Sequence, residues 1–113
     1  MKPTIGRIVH YKLSPEDVAQ IMRRRTSGAS VSDRIKAEKW PLGAQAHIGN
    51  DVYNDLVFPA MIVAVWPDEF NPPCNLQVFL DGCDVYWATS RHEGAEPGAW
   101  SWPPPPRPDH PKL

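Results

Sequence analysis

Apolar residues along this chain gather in four short alternating runs, and a long stretch of different periodicity separates the first run from the other three. Residues 4–11, centred on Gly6-Arg7-Ile8-Val9-His10-Tyr11, set Ile5, Arg7, Val9 and Tyr11 on one side and Gly6, Ile8 and His10 on the other. Neither set is purely polar, so this strand is expected to be covered on both faces, once by the core and once by the insert or a neighbouring subunit. Residues 59–66 carry Met61, Val63 and Val65 against Ala60, Ile62, Ala64 and Trp66, which predicts a central strand buried on both sides. Residues 75–80 and 85–89 flank Asp81-Gly82, a strong hairpin signal between apolar alternations. Trp100-Ser101-Trp102 predicts a short fifth strand or a 3₁₀ turn.

Between the first and second strands the period changes. Ser14 is a good N-cap, Pro15 suits the first helical position and Asp17 stands where a capping-box acid belongs. Val18, Ile21 and Met22 form an i, i+3, i+4 stripe, Arg23, Arg24 and Arg25 close the helix, and Gly28 stops it. Ser30 and Asp33 repeat the starting signal, Val31 and Ile35 share a face, and Pro41 disfavours helix at Trp40. The expectation is a helical hairpin, residues 15–25 and 31–39. Residues 40–57 follow neither period, and so long a loop is usually functional or an assembly surface.

Together these elements predict a mainly β fold, a small SH3-like five-stranded barrel with a two-helix insertion between strands one and two. Residues 1–102 form a single domain on this reading, with the insert at about 14–57 and a proline-rich C-terminal tail at 103–113. The run Pro103-Pro104-Pro105-Pro106-Arg107-Pro108 adopts polyproline II and cannot join a core. Arg107 follows Pro106 directly, which breaks the spacing of SH3-binding peptides, so a stiff tail lying on its own or a neighbouring subunit is the expected outcome.

Length and charge narrow the classes. A chain of 113 residues is one domain with a thin core, and oligomerisation would help its stability. A formal net charge of -1 argues against a nucleic-acid coat, so no nucleic-acid polymer is expected as a partner. The longest apolar run, Ala60 to Trp66, is too short for a bilayer, and Met1-Lys2-Pro3-Thr4 leads into a strand with no signal-peptide apolar region. The expected location is the cytoplasm, without a membrane partner. Cys74 and Cys83 bracket the third strand, roughly 20 Å apart on an extended chain. A disulfide needs Cα atoms within about 7 Å, so free thiols are expected.

No catalytic, metal or phosphate-loop motif is present. His10, His47, His92 and His110 have no metal-ligand spacing, and no Cys-x-x-Cys occurs, so neither metal nor cofactor is expected. Ser90-Arg91-His92 puts a nucleophile and a base close in sequence, but neighbours on a strand end point in different directions. No catalytic residue is assigned and the chain is read as a non-enzyme. Arg23, Arg24 and Arg25, with Arg34, Lys36 and Lys39, read first as helix-terminal and solvated charge, and alternatively as an anion site. The indoles Trp40, Trp66, Trp87, Trp100 and Trp102 read first as packing, and alternatively as a stacking platform for a flat ring. A pocket is expected where strand one meets the insert, with Arg7, His10, Arg23, Arg24, Trp40, His47 and Asn50 as candidate ligand-binding residues.

Gly6-Arg7-Ile8-Val9-His10-Tyr11 and the ending Trp100-Ser101-Trp102-Pro103 resemble a group of small bacteriophage- and prophage-encoded proteins. These share an early Gly-Arg-Ile-Val-His-Tyr strand, a middle apolar strand and a terminal Trp-x-Trp-Pro. Longer members are similar through Arg-Arg-Arg-Thr-x-Gly-Ala-Ser and Trp-Pro-Leu-Gly-Ala-Gln-Ala-His-Ile-Gly-Asn, which stand here at 23–30 and 40–50. The resemblance covers most of residues 3–103 and leaves out the tail. It implies a phage accessory protein. By analogy with phage proteins of this size, it would be a counter-defence homo-oligomer in the host bacterial cytoplasm, binding and sequestering a nucleotide-derived immune signal. The alternatives are a virion or assembly component, or an enzyme cleaving a cyclic nucleotide signal with His10 or His47 as acid/base.

Overall fold

A computed structural model describes residues 1–25, 48–67 and 70–105. In chain order the elements are β1 (Ile8–Lys12), α1 (Pro15–Arg24), β2 (Val57–Val65), β3 (Cys74–Phe79), β4 (Val85–Arg91) and β5 (Trp100–Ser101). The five strands form one antiparallel sheet in the order β4-β3-β2-β1-β5. The period of two along each strand sends alternate side chains to opposite faces. Val9, Ala60, Val78 and Tyr86 stand in register across four strands, and all are buried. The next residue on each strand makes the opposite row, Ile8, Met61, Gln77 and Trp87, none of which is buried.

The core lies on the inner face, where Tyr11, Leu13, Ile21, Val52, Ile62, Leu76, Leu80 and Trp100 join the inner row. α1 begins as expected. Ser14 Oγ accepts from the Asp17 N–H while Asp17 accepts from the Ser14 N–H, and Pro15 opens the first turn. Asp17 and Ile21, one turn apart, are its buried residues. No described helix is long and apolar enough to cross a membrane.

Five strands and a mainly β fold agree with the sequence reading, but the sheet is not closed into a barrel. Closure needs a staggered ladder between the first and last strands. β5 has only two residues, and both are used on β1. The β4 side reaches it through one parallel bridge, Glu93–Trp100, with Gly94 N–H donating to Trp100 O and Trp100 N–H to His92 O. Among the described residues there is one helix rather than two, and the second expected helix, 31–39, lies outside them.

Boundaries moved where backbone geometry decided them. β1 starts at Ile8 rather than residue 4, because the chain turns at Ile5–Gly6. Gly6 has φ 93°, and Arg7 N–H donates back to Thr4 O at 3.2 Å. β2 buries Ala60 and Ile62, whereas Met61, Val63 and Val65 are half-buried, so its second face is covered only in part. The β3–β4 turn at Asp81-Gly82 forms as expected and also pairs with Gly49. Cys74 is buried, Cys83 is exposed, and both are free thiols at opposite ends of β3.

Candidate functional site

The most connected polar group is the Asp17 carboxylate, which is fully buried. Its Oδ2 accepts from the Tyr11 phenol at 2.5 Å and the Ser14 N–H at 2.9 Å. Its Oδ1 accepts from the Tyr86 phenol at 2.6 Å and Arg91 Nη2 at 3.0 Å. Burial alone would push this carboxyl up. The hydrogen bonds from Tyr11, Tyr86 and Ser14, with the charge of Arg91, outweigh burial and hold it below the usual carboxylate range. Burial comes first in raising both phenols, followed by their bonds to Asp17, and Tyr86 is pushed up to about 12. The Arg91 guanidinium also lies 5.8 Å from the centre of the Tyr11 ring. Four donors occupy a carboxylate with no solvent-facing side, and the cluster clamps α1 to β1 and β4.

A second polar clamp fixes the far end of α1. Arg25 Nε and Nη2 grip Asp84 at 2.8 and 3.0 Å, and Nη1 donates to Asn50 O at 2.5 Å. Both side chains of the ion pair are only 6% exposed. The planar fork of arginine suits this bidentate contact.

The candidate binding site lies at the other end of the strands, a half-open groove of about 570 Å³. That volume falls in the range of small-ligand sites, roughly 300–1,000 Å³. Three segments build it. Met1, Lys2 and Pro3 form one side, Val65 to Pro67 with Phe70 to Pro72 another, and Glu93 with Trp100 the third. Trp66 N–H donates to Pro73 O, the Asn71 side chain exchanges bonds with the Glu93 backbone, and Gly6 N–H, three residues after Pro3, donates to Ile62 O. Trp66 is 47% exposed, and its indole N–H reaches Asn75 Oδ1 at 3.3 Å. Trp100 is buried, donates its indole N–H to Arg91 O at 3.1 Å, and meets Trp102 edge-on at 5.4 Å. Arg91 therefore joins the Asp17 clamp to the groove, its guanidinium on the carboxylate and its carbonyl on the Trp100 indole.

The residues expected to bind ligand are not gathered there. Arg7 is exposed just before β1, and its carbonyl accepts from Ile62 N–H. His10 is paired with Pro59 and Ser101, on the face opposite Val9 and Tyr11. Arg23 and Arg24 are exposed in the last turn of α1, and Arg24 borders a shallow depression with Ile21, Leu80, Asp84, Val85 and Tyr86. Asn50 is close to them through Arg25, and its side chain donates to Asp81 at 2.6 Å. Arg23, Arg24 and Asn50 thus share the β3–β4 turn end, Arg7 stands at the opposite end of the strands, and His10 is on the outer face. Trp40 and His47 lie outside the described residues.

Two features escaped the sequence reading. The clamp was partly legible, since Asp17 stands four residues before Ile21 and so shares the apolar face. The groove was legible only in Trp66 and Trp100; nothing in the local pattern brings Met1–Pro3 against Phe70. No group of three or more His, Cys, Asp or Glu among the described residues is placed to hold a metal ion. No protein-family model, no curated protein and no solved structure matches this chain.

Proposed function

We propose that this chain is a non-catalytic interaction module whose groove takes a peptide-like partner. The carrying observation is the lining, with Trp66, Phe70, Pro3, Pro67 and Pro72 above the buried Trp100, against one ammonium at Lys2 and one carboxylate at Glu93. Aromatic and proline surfaces with a single charge of each sign favour an extended, ring-rich segment over a polyphosphate, which needs several converging cations. The apolar outer row supports self-association as well. Ile8 is 43% and Trp87 59% exposed, and Phe79 and Val85 lie one step along the same strands on that face. A second copy of this chain is the proposed partner there, which makes the protein a homo-oligomer. In the phage setting implied by the resemblance, this is the assembly-component reading.

A second reading keeps the sequestering role. Arg23 and Arg24 stand exposed in the last turn of α1, and Arg25, which follows them, bonds to Asn50. Each carries a guanidinium of the kind that binds the phosphates of a nucleotide-derived immune signal. In that reading the chain is a counter-defence protein of the bacterial cytoplasm that binds the signal without cleaving it.

Two measurements separate the readings. Purified protein is denatured and the released small molecules are weighed by mass spectrometry; an intact nucleotide selects sequestration. The folded chain is then probed on a peptide array. Binding of proline- and aromatic-rich peptides that disappears in Trp66→Ala is the expected result, and an array without any Trp66-dependent peptide removes the interaction-module reading.

A further inference from the structure

We propose that two copies of this chain join through the bare edge of β4, residues 85–89 of each lying antiparallel, so that the two sheets run on as one; this rests on the reading that the chain self-associates. The ladder fixes which way the backbone points. Leu13 N–H donates to Leu56 O and Ile62 N–H to Arg7 O, so the even positions from Leu56 through Ile62 face β1. Alternate residues of an antiparallel strand turn both backbone groups to the same side. Met61 therefore faces β3, and its partner Gln77 faces β2. Leu76 and Val78 then face β4, where they meet Ala88 and Tyr86. That turns Val85 and Trp87 away from β3. Thr89 turns with them, because Ser90 N–H still reaches back to Asn75 Oδ1 on β3. The outward N–H and C=O groups of these three residues have no partner among the described residues.

The two edges of the sheet differ. At β5, Trp100 N–H donates to His92 O and Trp100 O accepts from Gly94 N–H, so this edge is already occupied. Pro103, Pro104 and Pro105 follow, and proline has no N–H with which to extend a ladder. Open edges are commonly guarded by proline, lysine or shortness. Residues 85–89 read Val-Tyr-Trp-Ala-Thr, with no proline and no charge, in a strand of seven residues. These are mostly β-branched and aromatic strand formers. α1 meets this strand from the inner face, where Asp17 bonds to Tyr86. The outer side is open, with Val85 45% and Trp87 59% exposed.

A second copy fits this edge by symmetry. With Trp87 opposite its own counterpart, a two-fold axis sets Val85 opposite Thr89 and Thr89 opposite Val85. All three are outward-facing residues, so each pair can exchange both of its backbone bonds, at Cα separations of about 5.5 Å. The run is uncharged, so no like charges meet.

The exposed indoles become a cross-strand aromatic pair on the outer face. The outer row of Ile8, Met61, Gln77 and Trp87 ends at this edge in the single chain. Across the two-fold axis it continues into the same row of the second copy, so one apolar stripe crosses both sheets.

The test keeps the full chain and reads the register. Val85 and Thr89 are exposed on the outer face, and within one strand they are too far apart to pair, at roughly 13 Å. Val85→Lys with Thr89→Lys sets like charges opposite across the axis and should raise the dissociation constant at least about tenfold by sedimentation. Val85→Lys with Thr89→Glu sets opposite charges there and should dimerise within about threefold of the parent. Hydrogen exchange of the parent is the second measurement, independent of any variant. The Trp87 amide should be protected in the dimer and exposed on dilution to monomer, while the Tyr86 and Ala88 amides stay protected in both. Equal dissociation constants for the two double variants, or a parent dimer whose Trp87 amide exchanges freely, overturn the edge and leave self-association standing. A parent that remains a monomer removes both. Array peptides that protect the Trp87 amide of a monomeric chain would give the edge to a foreign strand and overturn the second copy.

Discussion

Asp17 and Tyr86 are 69 positions apart, and the Tyr86 phenol donates to Asp17 Oδ1 at 2.6 Å inside the core. With Tyr11 on the other oxygen, the helix carboxylate ties together β1 and β4, which are not neighbours in the sheet. Removing it strands the Arg91 charge and two phenols. Asp17→Ala should cost about 3–5 kcal/mol in urea unfolding. Tyr86→Phe, which deletes one donor to a charged acceptor, should cost about 1.5–3 kcal/mol. In the double variant the costs should fall well short of additive, since both changes strike one network. Additive costs would show that the two residues act separately.

The same clamp sets a pH window. The Asp17 pKa is lowered by folding, so its contribution is complete above its ordinary 3.8 and is lost as pH falls through the depressed value. Tyr86 is raised, so its contribution is complete below its ordinary 10.0 and is lost as pH rises towards about 12. Denaturant midpoints should be flat between these limits and fall on both sides. Asp17→Asn should flatten the acid limb and Tyr86→Phe should weaken the alkaline one. A midpoint that rises on acidification through the carboxylate range would reverse the sign and refute the assignment.

Three consecutive arginines have different jobs. Arg25→Ala leaves Asp84 without its bidentate partner at a site only 6% exposed, and should cost about 3 kcal/mol or more. Arg23→Ala and Arg24→Ala alter exposed side chains and should stay within about 0.5 kcal/mol. Thermal melts of the three single variants suffice, and equal melting temperatures would remove the distinction. If the chain holds an anionic nucleotide, Arg24→Ala should weaken binding about tenfold without lowering the melting temperature.

Gly82 is a packing glycine. A Cβ there would stand 2.6 Å from both Gly49 Cα and Ile48 O, which are backbone atoms unable to step aside alone. Gly82→Ala should open the Gly49–Gly82 bridge and cost about 1–3 kcal/mol. Hydrogen exchange should report it locally, through faster exchange of the Asn50 and Cys83 amides that bond across this contact. Unchanged exchange at both amides would mean that the bridge contributes nothing.

Trp87 tests self-association. It is 59% exposed in the outer row with Ile8 and Met61. Trp87→Glu should raise the dissociation constant of the oligomer at least about tenfold and leave the monomer's unfolding nearly unchanged. Sedimentation of the parent as a monomer throughout the micromolar range would rule out the outer face as an interface.

What the sequence determined by itself was local. Alternation at β2, β3 and β4, the Asp81-Gly82 turn, and Ser14, Pro15 and Asp17 at the start of α1 are short-range signals, because a strand period, a turn and a cap each depend on residues a few positions apart. Tertiary structure decided whether the sheet closed, since that depends on how much ladder a two-residue β5 can offer to the β4 side, which it meets among the described residues through an isolated bridge at Glu93. It also decided what the charges do. Arg23, Arg24 and Arg25 are equivalent in the sequence, yet only Arg25 meets Asp84, and Asp17 is more than a cap because Tyr11, Tyr86 and Arg91 converge on it. The groove belongs to the same class. Met1–Pro3, Phe70–Pro72 and Trp100 carry no mutual signal along the chain, and only the packing of β1, β2 and the β4–β5 connection brings their surfaces together.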